Sequence, residues 1–148
     1  MDAIDRRIIE LLRTDARISF CDLAQAVGLG ANTVAERVRR LSDAKVIEGF
    51  EARINLAAIG LTVEAIIDVK LRAGVPAPEF EAAVQNIPGI LELTLMTGSF
   101  DYMVRVACRD QTHLMKVIEQ LRAGSGAQDT HSRVILRSIR SRAPLQAG

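Results

Sequence analysis

Polar and charged side chains recur on one side of a helical repeat between residues 30 and 45. Val34, Val38 and Leu41 are spaced i, i+4 and i+7, which predicts the buried stripe of an amphipathic helix. At about 100° per residue, the side that points away from this stripe carries Asn32, Glu36, Arg39, Arg40 and Asp43. In a major groove Asn suits adenine, Arg suits guanine and Glu suits cytosine. The spacing therefore permits base recognition, and a row of solvated charges is the alternative interpretation.

Side chains beside this face could contact the DNA backbone. Thr33 and Arg37 lie on its flank, where Arg37 suits a phosphate better than a base edge. Further contacts that position DNA without reading it could come from Arg17, Lys45 and Arg53. Because Glu36 and Asp43 lie on the same face, the pattern is not a simple cationic stripe.

Two shorter helical repeats precede this segment and would position it. The apolar side of a first helix, which begins after Asp2, is formed by Ile4, Ile8, Leu11 and Leu12. Ser19 caps a second helix, Gly28 ends it and Gly30 begins the third. The helix-turn-helix spacing is carried by Leu23, Ala24, Val27, Gly28, Leu29 and Val34. An ordinary helical hairpin has the same elements, and the outward polar face is what favours DNA binding.

Composition places the chain among globular proteins without indicating a nucleic acid by bulk charge. The 148 residues are 49% hydrophobic and 25% charged, with a formal net charge of +1 and no Trp. Cys21 and Cys108 form no CxxC pair and suit buried positions in a reducing compartment. Neither a basic, then apolar, leader nor a long apolar run occurs, so we expect a soluble, cytoplasmic protein without a membrane partner.

The rest of the chain predicts a wing, a linker and a second domain. Residues 46–55 alternate and predict a short strand or wing, and residues 57–60 predict a linker. Alternation over 63–71, 91–95 and 102–108, with a last strand around Val134 and Leu136, predicts four strands. Helical repeats follow Pro76 and Thr112. The fold class is therefore α+β, with a winged helix-turn-helix in residues 1–60 and a ferredoxin-like βαββαβ domain in residues 61–148.

One face of the predicted sheet is not covered by helices. It would carry Glu64, Ile66, Asp68, Glu92, Thr94, Met96, Met103, Arg105, Ala107, Arg133, Ile135 and Arg137. This mixture of apolar groups and opposite charges could close against a second copy, which predicts a homodimer or a higher homo-oligomer. A half-solvated sheet face is the alternative.

With these patterns in place, the chain resembles the Lrp/AsnC family of feast/famine regulators from about Asp2 to Arg142. The resemblance is carried by residues 4–9, 15–19, 23–29, 37–41, 46–47 and 97–102. It implies a transcription regulator with an N-terminal winged helix-turn-helix that binds double-stranded DNA. It also implies a ferredoxin-like domain that dimerises and binds an amino acid or a related metabolite.

Three positions depart from the pattern of that family. Gly30 and Ala31 stand where Ser and often Pro begin the recognition helix, and Gly is still an acceptable N-cap. Lys45 stands where the family favours Gly, which predicts a less sharply ended helix. Phe100 replaces a frequent Tyr and removes a hydroxyl that an effector could use.

The same resemblance implies the effector contacts. In the family a Gly-x-x-Asp turn between the middle strands lies near the effector pocket, and the matching residues are Thr97, Gly98, Ser99 and Asp101. Asp101 could accept from an α-ammonium group, and N–H groups near Gly98 could bind an α-carboxylate. A tight hairpin needs the same residue types, so a purely structural role is the alternative.

Two other functions are compatible with this fold. A branch of the family resembles sirohaem decarboxylases, but His113 and His131 have no partner at metal-ligand spacing and Ser99 has no adjacent base. We therefore expect no catalytic residues, no metal and no cofactor. A ligand-binding module without DNA recognition is the other alternative, and the polar face around Asn32 and Arg39 argues against it.

Overall fold

The computed structural model describes residues 1–141 and 143–145, and the chain divides into two compact units. The first contains residues 1–53 together with the described residues from Ile139 onward, and the second contains residues 54–138. Each unit has its own hydrophobic core.

Three helices form the first unit: α1 (Ala3–Thr14), α2 (Phe20–Val27) and α3 (Ala31–Asp43). Ser19 caps α2 by accepting from the N–H of Asp22. Gly28 ends α2 with φ of 70°, a conformation that favours glycine. The core consists of Ile8, Leu23, Ala24, Val34, Val38 and Leu41. The predicted helix-turn-helix is confirmed, including the stripe that turns α3 inward.

The wing predicted over residues 46–55 is not a strand in this structure. Val46, Phe50 and Ile54 are exposed there, and an isolated extended segment has no ladder partner to satisfy its N–H and C=O groups. The segment that we predicted as a linker contains one turn of 3₁₀-helix, Ala57–Ile59.

The end of α3 is sharper than its sequence predicted. Lys45 adopts φ of 56°, the left-handed conformation for which the family favours Gly. The N–H groups of Val46 and Ile47 then donate to the carbonyl of Leu41, at 2.9 and 3.1 Å. These bonds close the helix end because they satisfy a carbonyl that α3 leaves free.

The second unit has the predicted βαββαβ order. Its elements are β1 (Val63–Leu71), α4 (Ala77–Val84), β2 (Ile90–Leu95), β3 (Tyr102–Cys108), α5 (Gln111–Gly124) and β4 (Ala127–Val134). The antiparallel strands lie in the order β2-β3-β1-β4. Inward residues of β1 and β3, among them Ile67 and Val104, pack with α4 and α5 in one core. The ferredoxin-like fold is confirmed.

The position of β4 differs from the prediction. It begins at Ala127, paired with Leu71, and ends at Val134, so Leu136 lies beyond it. Most of its residues are exposed, because β4 is an edge strand whose outward positions are polar. Because β4 has no apolar alternation, the sequence pattern indicated only the C-terminal end of this strand.

Candidate nucleic-acid interface and effector turn

The outward face of α3 presents an exposed set of hydrogen-bonding side chains. Asn32, Glu36, Arg39 and Arg40 are all exposed, as the helical repeat predicted, and Thr33 on the flank is exposed as well. Glu36 and Arg39 are paired one helical turn apart, and Arg39 Nη2 donates to both carboxylate oxygens at 2.7 Å. An exposed pair of this kind is weak and can exchange for contacts to bases.

The beginning of α3 is open. Gly30 is the N-cap, and no side chain caps the first N–H groups of the helix. Such groups, with the positive end of the helix dipole, suit a phosphate or a base-edge acceptor. With Gly instead of Ser at position 30, the first N–H groups of α3 therefore remain accessible.

The remaining basic residues that we predicted as DNA contacts occupy different environments. Arg17 and Lys45 are exposed, and the described hydrogen bonds leave their charged groups unpaired. Arg40 is 62% exposed along its side chain, and its Nη2 donates to Asp5 at 3.0 and 3.2 Å. Arg37 is only 21% exposed, and its Nη1 donates to Asp2 and to Asp5, both at 2.7 Å.

The sequence pattern did not indicate the partners of these two arginines. Asp2 was predicted only as a helix cap, which is confirmed, and the structure adds a reciprocal bond that makes a capping box of Asp2 and Asp5. Asp5 is also buried, with 1% of its surface exposed. Burial raises the pKa of Asp5, but hydrogen bonds from Arg37 and from the Asp2 N–H lower it below its ordinary value overall. One signal in the sequence could have indicated this pairing. Asp5 lies beside the apolar stripe of α1, and a charge buried there requires a partner.

The turn between β2 and β3 exposes Thr97, Gly98 and Ser99. Gly98 has φ of 115°, and open space surrounds the position where a Cβ would lie. The turn is closed by the N–H of Met96, which donates to the carbonyl of Asp101 at 2.8 Å. The glycine is therefore required by the backbone, while the N–H groups at the tip stay accessible.

Asp101 is already engaged within the second unit. Its Oδ2 accepts from the N–H of Leu71 at 2.8 Å, and its Oδ1 lies 3.4 Å from Lys70 Nζ. The Leu71 N–H is the main cause of a pKa of Asp101 below its ordinary value. Asp101 therefore stays ionised and joins the turn to the end of β1, and Lys70 is a neighbouring charge that the sequence analysis did not single out.

The histidines are in ordinary structural positions. His113 Nδ1 accepts from the N–H of Arg109 at 3.3 Å, and the ring of His131 lies 6.3 Å from that of Phe100. Within residues 1–141 and 143–145, no three His, Cys, Asp or Glu side chains form a group that could hold a metal ion. No helix in this part of the chain is long and apolar enough to cross a membrane.

The comparisons with known proteins agree with both units. A family model described as the AsnC-type helix-turn-helix domain matches residues 1–42, and one described as the Lrp/AsnC ligand binding domain matches residues 64–145. The chain belongs to the Lrp/AsnC family. It is a DNA-binding transcription regulator of the helix-turn-helix type, with a domain that responds to a small molecule.

Relatives cover nearly all of this Lrp/AsnC chain. The regulator AldR of Mycolicibacterium smegmatis is 37% identical over 98% of the chain and 86% of its own length. The leucine-responsive regulatory protein of Escherichia coli K12 is 32% identical over 95% of the chain and 87% of its own length. A Neisseria meningitidis regulator solved as an L-Met complex superposes with a TM-score of 0.89 at 26% identity, covering 99% of this chain and 96% of that one.

Proposed function

We propose that α3 enters the major groove and reads bases through Asn32, Thr33, Glu36 and Arg39. The observation that supports this is that all four side chains are exposed on α3, the second helix of the helix-turn-helix. Phosphate contacts come from Arg17 and Lys45, which are also exposed, and from Arg40, which the sequence placed on the base-reading face but which lies beside Asp5. Arg37, which the sequence placed among the phosphate contacts, is instead bonded to Asp2 and Asp5.

A preferred duplex selected from a random pool by the full-length protein tests this proposal. If roughly 6–10 phosphates are contacted by a DNA-bound dimer, affinity falls about 10³- to 10⁵-fold between about 50 and 200 mM salt. Asn32→Ala relaxes preference at one base pair and weakens binding by about 1–3 kcal/mol. Gln120→Ala, an exposed amide of α5, is the control and leaves binding unchanged. Failure of the parent protein to select any duplex would reject base recognition.

We propose a homodimer formed through the open face of the sheet. On this face Arg105 donates to Glu64 at 2.8 Å and Arg133 donates to Asp68 at 2.7 Å, so the charges are matched within one chain. Ile66 is half-buried between these strands and adds apolar surface. These two ion pairs, together with the apolar groups, lower the cost of burying the face against a second copy.

Sedimentation of a double variant tests the dimer. Ile66→Lys combined with Ile135→Lys should give monomers, because two lysines would be buried without partners. Met115→Lys, at an exposed position of α5, is the control and keeps the oligomer of the parent. Unchanged sedimentation of the double variant would show that another face is used.

We propose that an amino acid or a related metabolite binds at Thr97, Gly98, Ser99 and Asp101. The support is the accessible turn, the ionised Asp101 beside Lys70, and the similarity to a regulator solved with L-Met. An α-ammonium group suits the Asp101 carboxylate, and an α-carboxylate suits the N–H groups near Gly98. Since only differential affinity shifts an equilibrium, the effector must favour one assembly or DNA-binding state over another.

Thermal shifts with each of the twenty amino acids, followed by DNA titration, test the effector site. Typical coupling changes DNA affinity about 5- to 150-fold. Asp101→Ala removes both the charge and the acceptor for the Leu71 N–H, whereas Asp101→Asn retains an acceptor oxygen and loses only the charge. Loss of the response in both variants supports a charge contact to the effector. A response that survives in Asp101→Asn would assign Asp101 a structural role.

We infer that the protein acts in the cytoplasm as a regulator and not as an enzyme. The relatives are named as transcriptional regulators, and the Nδ1 of His113 is engaged with the backbone. An absorbance scan of the purified protein separates this function from a sirohaem decarboxylase. A tetrapyrrole band that co-purifies with the chain would favour the enzyme.

A further inference from the structure

The beginning of α1 and one edge of α3 are joined by a cluster of four charged side chains, Asp2, Asp5, Arg37 and Arg40. Asp5 Oδ1 accepts from Arg37 Nη1 at 2.7 Å, and Arg40 Nη2 donates to both Asp5 oxygens at 3.0 and 3.2 Å. The N–H of Asp2 donates to Asp5 Oδ2 at 3.2 Å. The buried carboxylate is thus fully hydrogen-bonded, as a buried charge requires.

Arg37 is committed to this cluster more completely than Arg40. Nη1 of a guanidinium carries two hydrogens, and Asp2 and Asp5 each lie 2.7 Å from Arg37 Nη1. The side chain is 21% exposed, against 62% for Arg40. Arg40 can reach a phosphate while it remains beside Asp5, whereas Arg37 must leave two carboxylates to do so.

The charges of the cluster cancel. Two carboxylates and two guanidinium groups sum to zero, so the cluster adds no net attraction for a polyanion. The position of the cluster indicates a structural role. Arg37 lies between the buried stripe of α3 and the outward face, so bonds from Arg37 to α1 oppose rotation of α3 about its own axis.

We propose that Asp5, assisted by Asp2, is a positioning residue for DNA recognition, which holds α3 through Arg37 and keeps Arg37 away from the phosphates. The inference rests on the proposed function, because it concerns how the same helix is presented to DNA. Base preference then depends on α1, although α1 contributes no base contact.

The experiment uses the full-length protein, the duplex that the parent selects from a random pool, and a scrambled duplex of equal composition. Asp5→Asn and Asp2→Asn remove charge with little change of shape. Asp15→Asn is the matched control, because Asp15 is exposed at the other end of α1, and its Oδ1, which accepts from the Arg17 N–H, is retained in Asn. Affinity for both duplexes is measured at several salt concentrations.

Release of Arg37 has a signature that simple destabilisation lacks. Each Arg37 that gains a phosphate steepens the slope of log K against log salt by about 0.9. The ratio of affinities for selected and scrambled DNA falls as well, by about 5- to 150-fold if α3 loses the equivalent of one base contact. Both changes are expected in Asp5→Asn, smaller ones in Asp2→Asn, and neither in Asp15→Asn.

Arg37→Ala separates the two roles of the arginine. A positioning Arg37 predicts a lower preference for the selected duplex with an unchanged salt slope, whereas a phosphate contact predicts a slope shallower by about 0.9 and an unchanged preference. If Asp5→Asn fails to fold by circular dichroism, Asp2→Asn and Arg37→Ala decide.

The possible failures are distinguishable. A parent protein without preference for any duplex rejects the proposed function. A parent with a clear preference, whose carboxylate variants keep the parental slope and preference, rejects the positioning role alone.

Discussion

The two units keep polar groups in their interiors by different means. In the helical unit the buried group is a charge, the Asp5 carboxylate, and hydrogen bonds from two arginines and a backbone N–H satisfy it. In the sheet unit Tyr102 is 1% exposed, and its neutral hydroxyl donates to Glu81 Oε1 at 2.6 Å. The ring of Tyr102 also packs on Phe80, with 4.8 Å between the centroids.

This difference shows that a buried charge needs more hydrogen-bond partners than a buried hydroxyl does. Asp5 needs several donors, so it ties the start of α1 to α3, which is 32 to 35 residues away. Tyr102 needs one acceptor, and most of its stabilisation comes from the apolar ring. In acid, the stability of the helical unit should therefore depend on the ionised Asp5 carboxylate. In alkali, the stability of the sheet unit should depend on the protonated Tyr102 hydroxyl.

The largest effect is expected for Asp5→Ala. The substitution removes the acceptor for Arg37, Arg40 and the Asp2 N–H, so the free energy of unfolding of the helical unit falls by about 2 kcal/mol. Urea denaturation followed by circular dichroism measures the loss, and Asp15→Ala is the exposed control on the same helix. A loss below about 1 kcal/mol would place the cluster with ordinary surface ion pairs.

Acid should weaken the helical unit. The Asp5 N–H and Arg37 lower the pKa of Asp2, and the pKa of Asp5 is also below its ordinary value. Near pH 4 the folded state then binds fewer protons than the unfolded state, so this stabilisation is present above about pH 3.9 and is lost as pH falls through the lower folded-state values. Melting temperatures from pH 6 down to pH 2 test this, and Asp5→Asn should flatten the curve. An equal acid response of parent and variant would assign the effect to other groups.

Tyr102→Phe should have a smaller effect, on the sheet unit. Loss of the hydroxyl's bond to Glu81 lowers the free energy of unfolding by about 1.5 kcal/mol at neutral pH. Burial, with Glu81 nearby, raises the pKa of Tyr102 to about 12. The parent should therefore lose stability as pH rises from about 10, the unfolded-state value, through 12, and the Phe variant should lack this component. Urea midpoints across that range provide the measurement, and parallel curves for the two proteins would contradict it.

The smallest effect is expected for Glu36→Gln. Although Arg39 donates to both oxygens of Glu36 at 2.7 Å, both side chains are about two-thirds exposed, so water and salt replace the interaction. Thermal unfolding should be unchanged, while preference for the selected duplex changes at one base pair. A clear drop in melting temperature would mean that distance, and not burial, decides the strength of these pairs.

Periodicity predicted most of the architecture because it is a local property. The stripe of Val34, Val38 and Leu41 is buried on α3, and the alternation over residues 63–71 is β1. Periodicity located β4 incorrectly and predicted a wing strand that is not formed. An edge strand with polar outward positions shows little pattern, and an extended segment becomes a strand only with a partner.

The exposed residues on the outward face of α3 could likewise be predicted, since helix geometry alone sends Asn32, Glu36 and Arg39 away from the buried stripe. The partners of the neighbouring charges could not. Whether Arg37 bonds a phosphate or Asp5, and whether Asp101 is free or bonds the Leu71 N–H, depends on residues 30 or more positions away. The sequence by itself thus determined which faces are polar, and only the tertiary structure decided which of those polar groups are already paired, because pairing requires the approach of elements that no local repeat encodes.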